Sequence, residues 1–203
     1  MDADPVELRV LGSLIEKQRT TPEQYPLSLN ALRLACNQST NRDPVVDYDD
    51  STIRTALERL GQRGWTRLAS GPGSRAIKHR HLLNEALALD EAELSLLAVL
   101  MLRGPQTLGE LKQRTDRMYG FGTLEDVERT LDALAERELV ARQPRRAGQK
   151  EDRYAQLLGG EGGEAATDAP KAAPPAGNGL EERVARLERE VAELRDMLEN
   201  RIG

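Results

Sequence analysis

The stretch DSTIRTALERLGQRGW, residues 50–65, has a second copy in LEDVERTLDALAEREL, residues 124–139. At a shift of 74 positions, Ile53 falls on Val127, Leu57 on Leu131, Leu60 on Leu134, Arg63 on Arg137 and Trp65 on Leu139. Both stretches place apolar residues at i, i+4 and i+7, the spacing of one helix face. A short β-like run follows each. An internal repeat of this kind means one supersecondary unit used twice, so its reading decides the fold.

Working outward, the helix that opens each copy also matches, now at a shift of 86: Leu8 with Leu94, Leu11 with Leu97 and Leu14 with Leu100. The change of shift leaves 12 extra residues between the first and third helices of the first copy. The first copy then reads as helices over about 5–18, 28–38 and 51–64, with Ser28 as an N-cap. Its hairpin spans about 65–70 and 75–83, turning at Gly71-Pro72-Gly73. In the second copy, Asp90 with Glu93 and Thr107 with Glu110 have capping-box spacing, and Thr123 with Asp126 is a looser version. Its hairpin runs over about 139–144 and 150–158, joined near Gly148. Three short helices followed by a two-stranded hairpin predict a winged helix-turn-helix. The expected fold class is mainly α with small β-hairpins (α+β). The expected domains are winged helix 1 over residues 1–84 and winged helix 2 over 85–158.

The net charge of −5 hides a local excess. Residues 51–83 hold seven Arg and Lys against Glu58 alone, while residues 1–50 hold nine acids against five bases. In a helix-turn-helix the third helix packs one face inward and offers the other to the major groove. At 100° per residue, Ile53, Ala56, Leu57 and Leu60 point inward. Arg54, Thr55, Glu58, Arg59 and Gln62 point outward, with Arg63 at the flank. The hairpin adds Arg67, Arg75, Lys78, His79, Arg80 and His81. The expected DNA-binding residues are therefore Arg54, Thr55, Arg59, Gln62, Arg63, Arg75, Lys78 and Arg80. These types suit base edges and phosphates. The matching face of the second copy reads Glu128, Arg129, Asp132, Ala133 and Glu136, which phosphates would repel. Its first helix is apolar nearly all round, which suits burial between the copies or in a dimer interface. Two functions stay open: binding of double-stranded DNA through the first copy, or a scaffold in which winged helices bind protein partners.

The extra residues of the first copy flank its second helix. They read EKQRTTPEQYPL, residues 16–27, and ACNQSTNRDPV, residues 35–45. Asn37, Gln38, Asn41 and Arg42 form either a polar network that locks a long connection or a small recognition surface. Together with Arg117-Met118-Tyr119, these strings resemble the YceH family of uncharacterised bacterial proteins, over about residues 6–158. The resemblance implies a tandem winged-helix fold. It implies no established activity and carries over no catalytic residue.

After Leu158 the composition changes. Residues 159–179, GGEGGEAATDAPKAAPPAGNG, show no apolar period and read as a flexible, disordered linker. Leu180, Val184, Leu187, Val191, Leu194 and Leu198 then alternate in steps of four and three, so residues 180–203 read as a coiled-coil helix. Val at a and Leu at d favour a parallel pair, and a homodimer is expected. The alternative is an amphipathic helix packed on its own chain. Both segments lie outside the resemblance.

Other chemistry is not expected. No run of 18 apolar residues suggests a membrane span. The opening Met1-Asp2-Ala3-Asp4-Pro5 lacks the features of a secretion signal. The single cysteine, Cys36, has no partner for an internal disulfide and sits in an apolar helix pattern, so it reads as core. A cytoplasmic location follows. His79 and His81 read as a surface pair on the hairpin, since nothing nearby completes a zinc set. No acid pair or phosphate loop is recognisable, so neither catalysis nor a cofactor or metal is expected.

Overall fold

Asp4 opens the first helix. Its carboxylate accepts the Glu7 backbone N–H at 2.8 Å, and Glu7 Oε2 accepts that of Asp4 at 2.7 Å. This reciprocal cap satisfies donors that a helix start leaves over. Helix α1 (Pro5–Thr20) runs on to a 3₁₀ turn at Pro22–Gln24. Then come β1 (Leu27–Ser28), α2 (Leu29–Cys36), α3 (Asp50–Gln62), β2 (Thr66–Ala69), β3 (Lys78–His81) and α4 (Leu83–Ala86). The second copy supplies α5 (Glu91–Arg103), α6 (Leu108–Thr115), α7 (Leu124–Glu136), β4 (Val140–Gln143) and β5 (Arg153–Gln156). This computed structural model describes residues 3–69, 77–145 and 151–159. The linker after Gly159 and the coiled-coil helix expected over 180–203 lie outside the described residues.

The chain is thus mixed α and β, with small antiparallel sheets. Each copy follows the expected order of three helices and a hairpin. Ser28, Asp90, Thr107 and Thr123 all cap helices, the last three in capping boxes. Two elements were not expected. Helix α4 follows the first hairpin, and β1 adds a third strand beside β3, giving the order β1-β3-β2. In the second copy one bridge, Gln106 with Tyr154, takes the position beside β5.

The ends of α3 and α7 show how closely the copies agree. Gly64 and Glu138, 74 positions apart, both take positive φ, +72° and +55°. The N–H of Trp65 reaches the Leu60 carbonyl at 2.9 Å, and that of Leu139 reaches Leu134 at 3.0 Å. The N–H of Gly64 reaches Gly61 and that of Glu138 reaches Ala135, each at 3.0 Å. Both helices therefore end in a Schellman motif, and the chain leaves each at the same angle into its hairpin.

The copies meet through α1 and α5, the most extensive helix contact. These helices run antiparallel. Arg19 near the end of α1 pairs with Glu91 at the start of α5 at 2.7 Å, and Gly12 lies against Met101 and Leu102. Equivalent backbone bonds close both sides of this contact. The Leu89 N–H donates to the Asn84 carbonyl, and the Ala3 N–H donates to the Leu158 carbonyl, each at 3.0 Å. Ala3 corresponds to Leu89 and Asn84 to Leu158, so the end of each copy bonds the start of the other. The halves are related as the subunits of an isologous dimer are. Burial explains the apolar surround of α5. Leu94, Leu96, Leu97, Leu100 and Leu102 are all buried between the copies or within the second core, each contributing about 2 kcal/mol.

Candidate nucleic-acid interface

The face of α3 follows from its cap and its core. Asp49 accepts the Thr52 N–H at 2.8 Å and the Ser51 hydroxyl at 2.8 Å. These bonds, led by the backbone one, hold its carboxyl down at about 2. Ile53, Ala56, Leu57 and Leu60 are buried. That fixes the rotation of the helix and leaves Arg54, Thr55, Glu58, Arg59 and Gln62 exposed. Thr55 donates its hydroxyl to the Ser51 carbonyl at 3.1 Å. Among the described residues Arg54 makes no ion pair. Its charge acts on His79, whose pKa is held below the ordinary value by burial first and Arg54 second.

The other basic residues of the expected interface are engaged with the fold. Arg59 pairs with Asp4 at 2.8 Å. Arg63 reaches Glu7 at 3.6 Å and lies over the Trp65 ring, 5.8 Å from its centroid, within cation–π range. The second copy repeats the contact, with Arg137 against Glu93 at 3.1 Å. Arg63 therefore ties the end of the third helix to the start of the first, a role that Arg137 shares without a basic surface. The signal for it, Asp4 and Glu7 at capping-box spacing, stands in the sequence and was not read there.

The hairpin register sorts its side chains. Thr66 faces His81, Arg67 faces Arg80, Leu68 faces His79 and Ala69 faces Lys78, while Leu27 pairs with His79 from the other side. Directly opposed residues share a sheet face. Arg67, Lys78 and Arg80 thus share one face, and Leu27, Leu68, His79 and His81 the other. His79, the residue on which the Arg54 charge acts, thus lies on the face opposite Lys78 and Arg80. Arg80 also pairs with Glu85 of α4. Arg75 lies outside the described residues.

His81 corrects an expectation. It is 1% exposed rather than part of a surface pair. Its Nε2 meets Gln18 Oε1 at 2.5 Å, and its backbone N–H donates to the Tyr25 hydroxyl at 2.8 Å. Burial, followed by the like charges of Arg80 and Arg19, pushes its pKa down to about 4. Burial likewise raises Tyr25 to about 12. Pairing opposite Thr66 on the core face, beside the added strand β1, covers His81, whereas His79 further out remains half-buried. Cys36 is fully buried, and its thiol is pushed up to about 11 by burial.

The inserted residues form the polar network considered for them. The buried guanidinium of Arg42 meets Glu16 Oε2 at 2.6 Å, Gln38 Oε1 at 3.0 Å and the Ala35 carbonyl at 2.9 Å. Asn37 exchanges bonds with Tyr48, donating to its carbonyl at 2.8 Å and accepting its N–H at 2.9 Å. Arg9, also buried, donates to the Cys36 and Pro44 carbonyls at 3.1 and 2.6 Å. The network fastens the loop that leads into the cap of α3. No group of three or more His, Cys, Asp or Glu among the described residues is arranged to hold a metal ion. No helix among them is long and apolar enough to cross a membrane.

Two like α+β halves, one with a partly basic and the other with an acidic third-helix face, define the class: a two-copy repeat protein. The chain belongs to the UPF0502 family, and the model of that family described as "Protein of unknown function, DUF480" matches residues 3–149. It is 50% identical over 196 residues to a UPF0502 protein of Solibacter usitatus, covering 97% of this chain and 94% of that one. It is 51% identical over 191 residues to a UPF0502 protein of Citrifermentans bemidjiense, covering 93% and 88%. A UPF0502 protein of Geobacter sulfurreducens is 50% identical over 196 residues. The first of these alignments takes in most of the tail after Leu158, so likeness to that relative extends past the repeat.

Proposed function

We propose that the chain is a tandem winged-helix protein whose first copy binds double-stranded DNA, with the exposed face of α3 as its reading surface. The observation that carries this reading is the solvent-facing row Arg54, Thr55 and Gln62 on a helix whose opposite face is locked in the core. Arg54 suits a guanine edge or a phosphate, and Gln62 suits an adenine edge. Arg67, exposed and without an ion pair among the described residues, adds phosphate affinity from the hairpin. The order of three helices and a hairpin, repeated in both copies, supports the winged-helix assignment. The acidic face of α7 leaves the second copy to packing, dimerisation or a partner. In this proposal the domains are residues 1–84 and 85–158, the tail over 180–203 pairs two chains, the protein works in the cytoplasm and it catalyses no reaction.

One observation favours the scaffold reading instead. Arg59, Arg63 and Arg80 already hold carboxylates of their own chain, and each must give up or share that partner to reach a phosphate. Binding to mixed genomic duplex fragments, at low and at moderate salt, separates the two readings. Salt-sensitive binding by the unchanged chain, lost by Arg54→Ala/Gln62→Ala, is the expected result. No binding at low salt removes the DNA reading and turns the search to protein partners. Both substituted side chains are exposed, so the variant should keep its fold.

A further inference from the structure

The exposed face of α3 carries one residue that attraction to phosphate does not explain. Glu58 is exposed between Arg54 and Gln62, one helical turn from each. It makes no hydrogen bond or ion pair among the described residues. Arginines stand close by on the same helix, yet Arg59 turns to Asp4 and Arg63 to Glu7. A carboxylate left bare on a helix that approaches DNA weakens binding by repulsion, unless it meets a donor there.

The place of Glu58 on the face supplies such a donor. The buried side of α3 is Ile53, Ala56, Leu57 and Leu60. At about 100° per residue, the direction opposite that side falls among Thr55, Glu58 and Gln62, each within about 30° of it. Arg54 and Arg59 lie about 70° away, one on either flank. In a helix laid along the major groove, the flanks face the phosphate-lined walls and the centre faces base edges. Thr55 donates its hydroxyl back to the Ser51 carbonyl at 3.1 Å. Glu58 and Gln62 are left as the central side chains free to bond. An ionised carboxylate only accepts hydrogen bonds. The donors at the base edges of this groove are the cytosine N4 and adenine N6 amino groups, while guanine and thymine show acceptors. The adenine amine adjoins the N7 lone pair, which repels a carboxylate, whereas cytosine presents no acceptor of its own there.

We propose that Glu58 reads a cytosine in the DNA target, accepting a hydrogen bond from its N4 amino group and disfavouring every other base at that position. This rests on the duplex-binding role proposed for α3 and names what that face selects. Arg54 and Arg59 then meet phosphates from the two flanks, Arg59 on giving up Asp4.

The full-length chain, Glu58→Ala and Glu58→Gln each select from a random duplex library. Kd is then measured for the selected duplex, with its cytosine kept or changed to each other base. The unchanged chain should enrich a site with a fixed cytosine and bind it about tenfold more tightly than the changed duplexes. Glu58→Ala should lose that preference, keep the preferences elsewhere in the site, and bind cytosine-free duplexes at least as well as the unchanged chain. Glu58→Gln should admit adenine at the same position, since an amide pairs with its N6 and N7. Glu58 is exposed and unpaired among the described residues, so both variants should melt with the unchanged chain. A selected site without such a cytosine overturns the inference and leaves the duplex-binding role standing. So does an equal gain of affinity for every duplex in both variants with base preference unaltered, because Glu58 would then be a repelling surface charge only. If the unchanged chain binds no duplex, the duplex-binding role falls and this inference falls with it.

Discussion

Helices α3 and α7 end in the same Schellman motif and are tied by the same Arg–Glu contact to the helix that opens their copy, yet they face solvent with opposite charge. α3 shows Arg54, Thr55, Glu58, Arg59 and Gln62, while α7 shows Arg129, Asp132 and Glu136 with Glu128 half-buried, so the balance is basic on one and acidic on the other. The comparison separates what the fold needs from what the surface is free to vary. Positions repeated in both copies are structural, even when they are basic. Positions that differ, such as Arg54 against Glu128, are where function has room. The second difference is the inserted loop, present only in the first copy and held by Arg42.

The largest effect tests that loop. Arg42→Ala removes a fully buried guanidinium and leaves Glu16, itself mostly covered, without its closest cation. Breaking one partner of a buried pair costs about 3–5 kcal/mol. Urea unfolding should show a loss of that size, and a loss under about 1 kcal/mol would mean that the loop is held by other contacts. No equivalent substitution exists in the second copy, which lacks the loop.

A smaller effect separates the two hairpins. His81 has Ala155 as its counterpart, so only the first copy carries a buried imidazole. The ring titrates near its ordinary 6.5 when unfolded and near 4 in the fold. The neutral ring therefore contributes its full stability above about pH 6.5. That contribution fades as pH falls towards 4, because protons then bind the unfolded chain preferentially. The difference amounts to about 3 kcal/mol at most. Urea midpoints from pH 7 to 4 should fall less steeply for His81→Gln than for the unchanged chain. Identical slopes would place the acid sensitivity elsewhere.

Contact between the copies is tested at Gly12, whose counterpart is Ala98. A Cβ at Gly12 would lie 2.9 Å from Leu102 Cγ and 3.2 Å from Met101 Cβ. Gly12→Val adds a branched side chain there. Overpacking costs about 2 kcal/mol, somewhat offset by better helix propensity than glycine. A lower Tm is expected, and an unchanged Tm would show that α1 and α5 can move apart freely.

Much of this arrangement was legible before the structure. The repeat came through because inward-facing Leu, Ile and Val recur at helical spacing, and Thr and Asp at the helix starts mark their own positions. The antiparallel meeting of α1 and α5 was half-legible, since α5 is apolar all round but nothing in its pattern names its partner. β1 escaped because two residues are too few for a period. His81 escaped because alternation shows which residues share a sheet face and not which face is covered. The candidate site was the least legible part. Residue type suggested that Arg59, Arg63 and Arg80 face a ligand. Their partners Asp4, Glu7 and Glu85 lie 55, 56 and 5 positions away in sequence, and only the fold brings the first two close.

The smallest expected effect goes to the centre of the comparison. If the Arg–Glu contact between first and third helices is a structural device used twice, Arg63→Ala and Arg137→Ala should both destabilise the chain, Arg63→Ala somewhat more because it also lies over Trp65. Both arginines are partly exposed, so each loss should be about 1 kcal/mol or less. For Arg63 the stacking on Trp65 adds up to about 1 kcal/mol. Under this account Arg63→Ala weakens duplex binding no more than its stability loss explains, whereas Arg54→Ala weakens binding and leaves stability alone. The opposite pattern, with Arg63→Ala stable but deficient in binding, would return Arg63 to the reading surface. Glu7 would then be a carboxylate that the phosphate displaces, and the symmetry of the two copies would no longer tell structural from functional arginines.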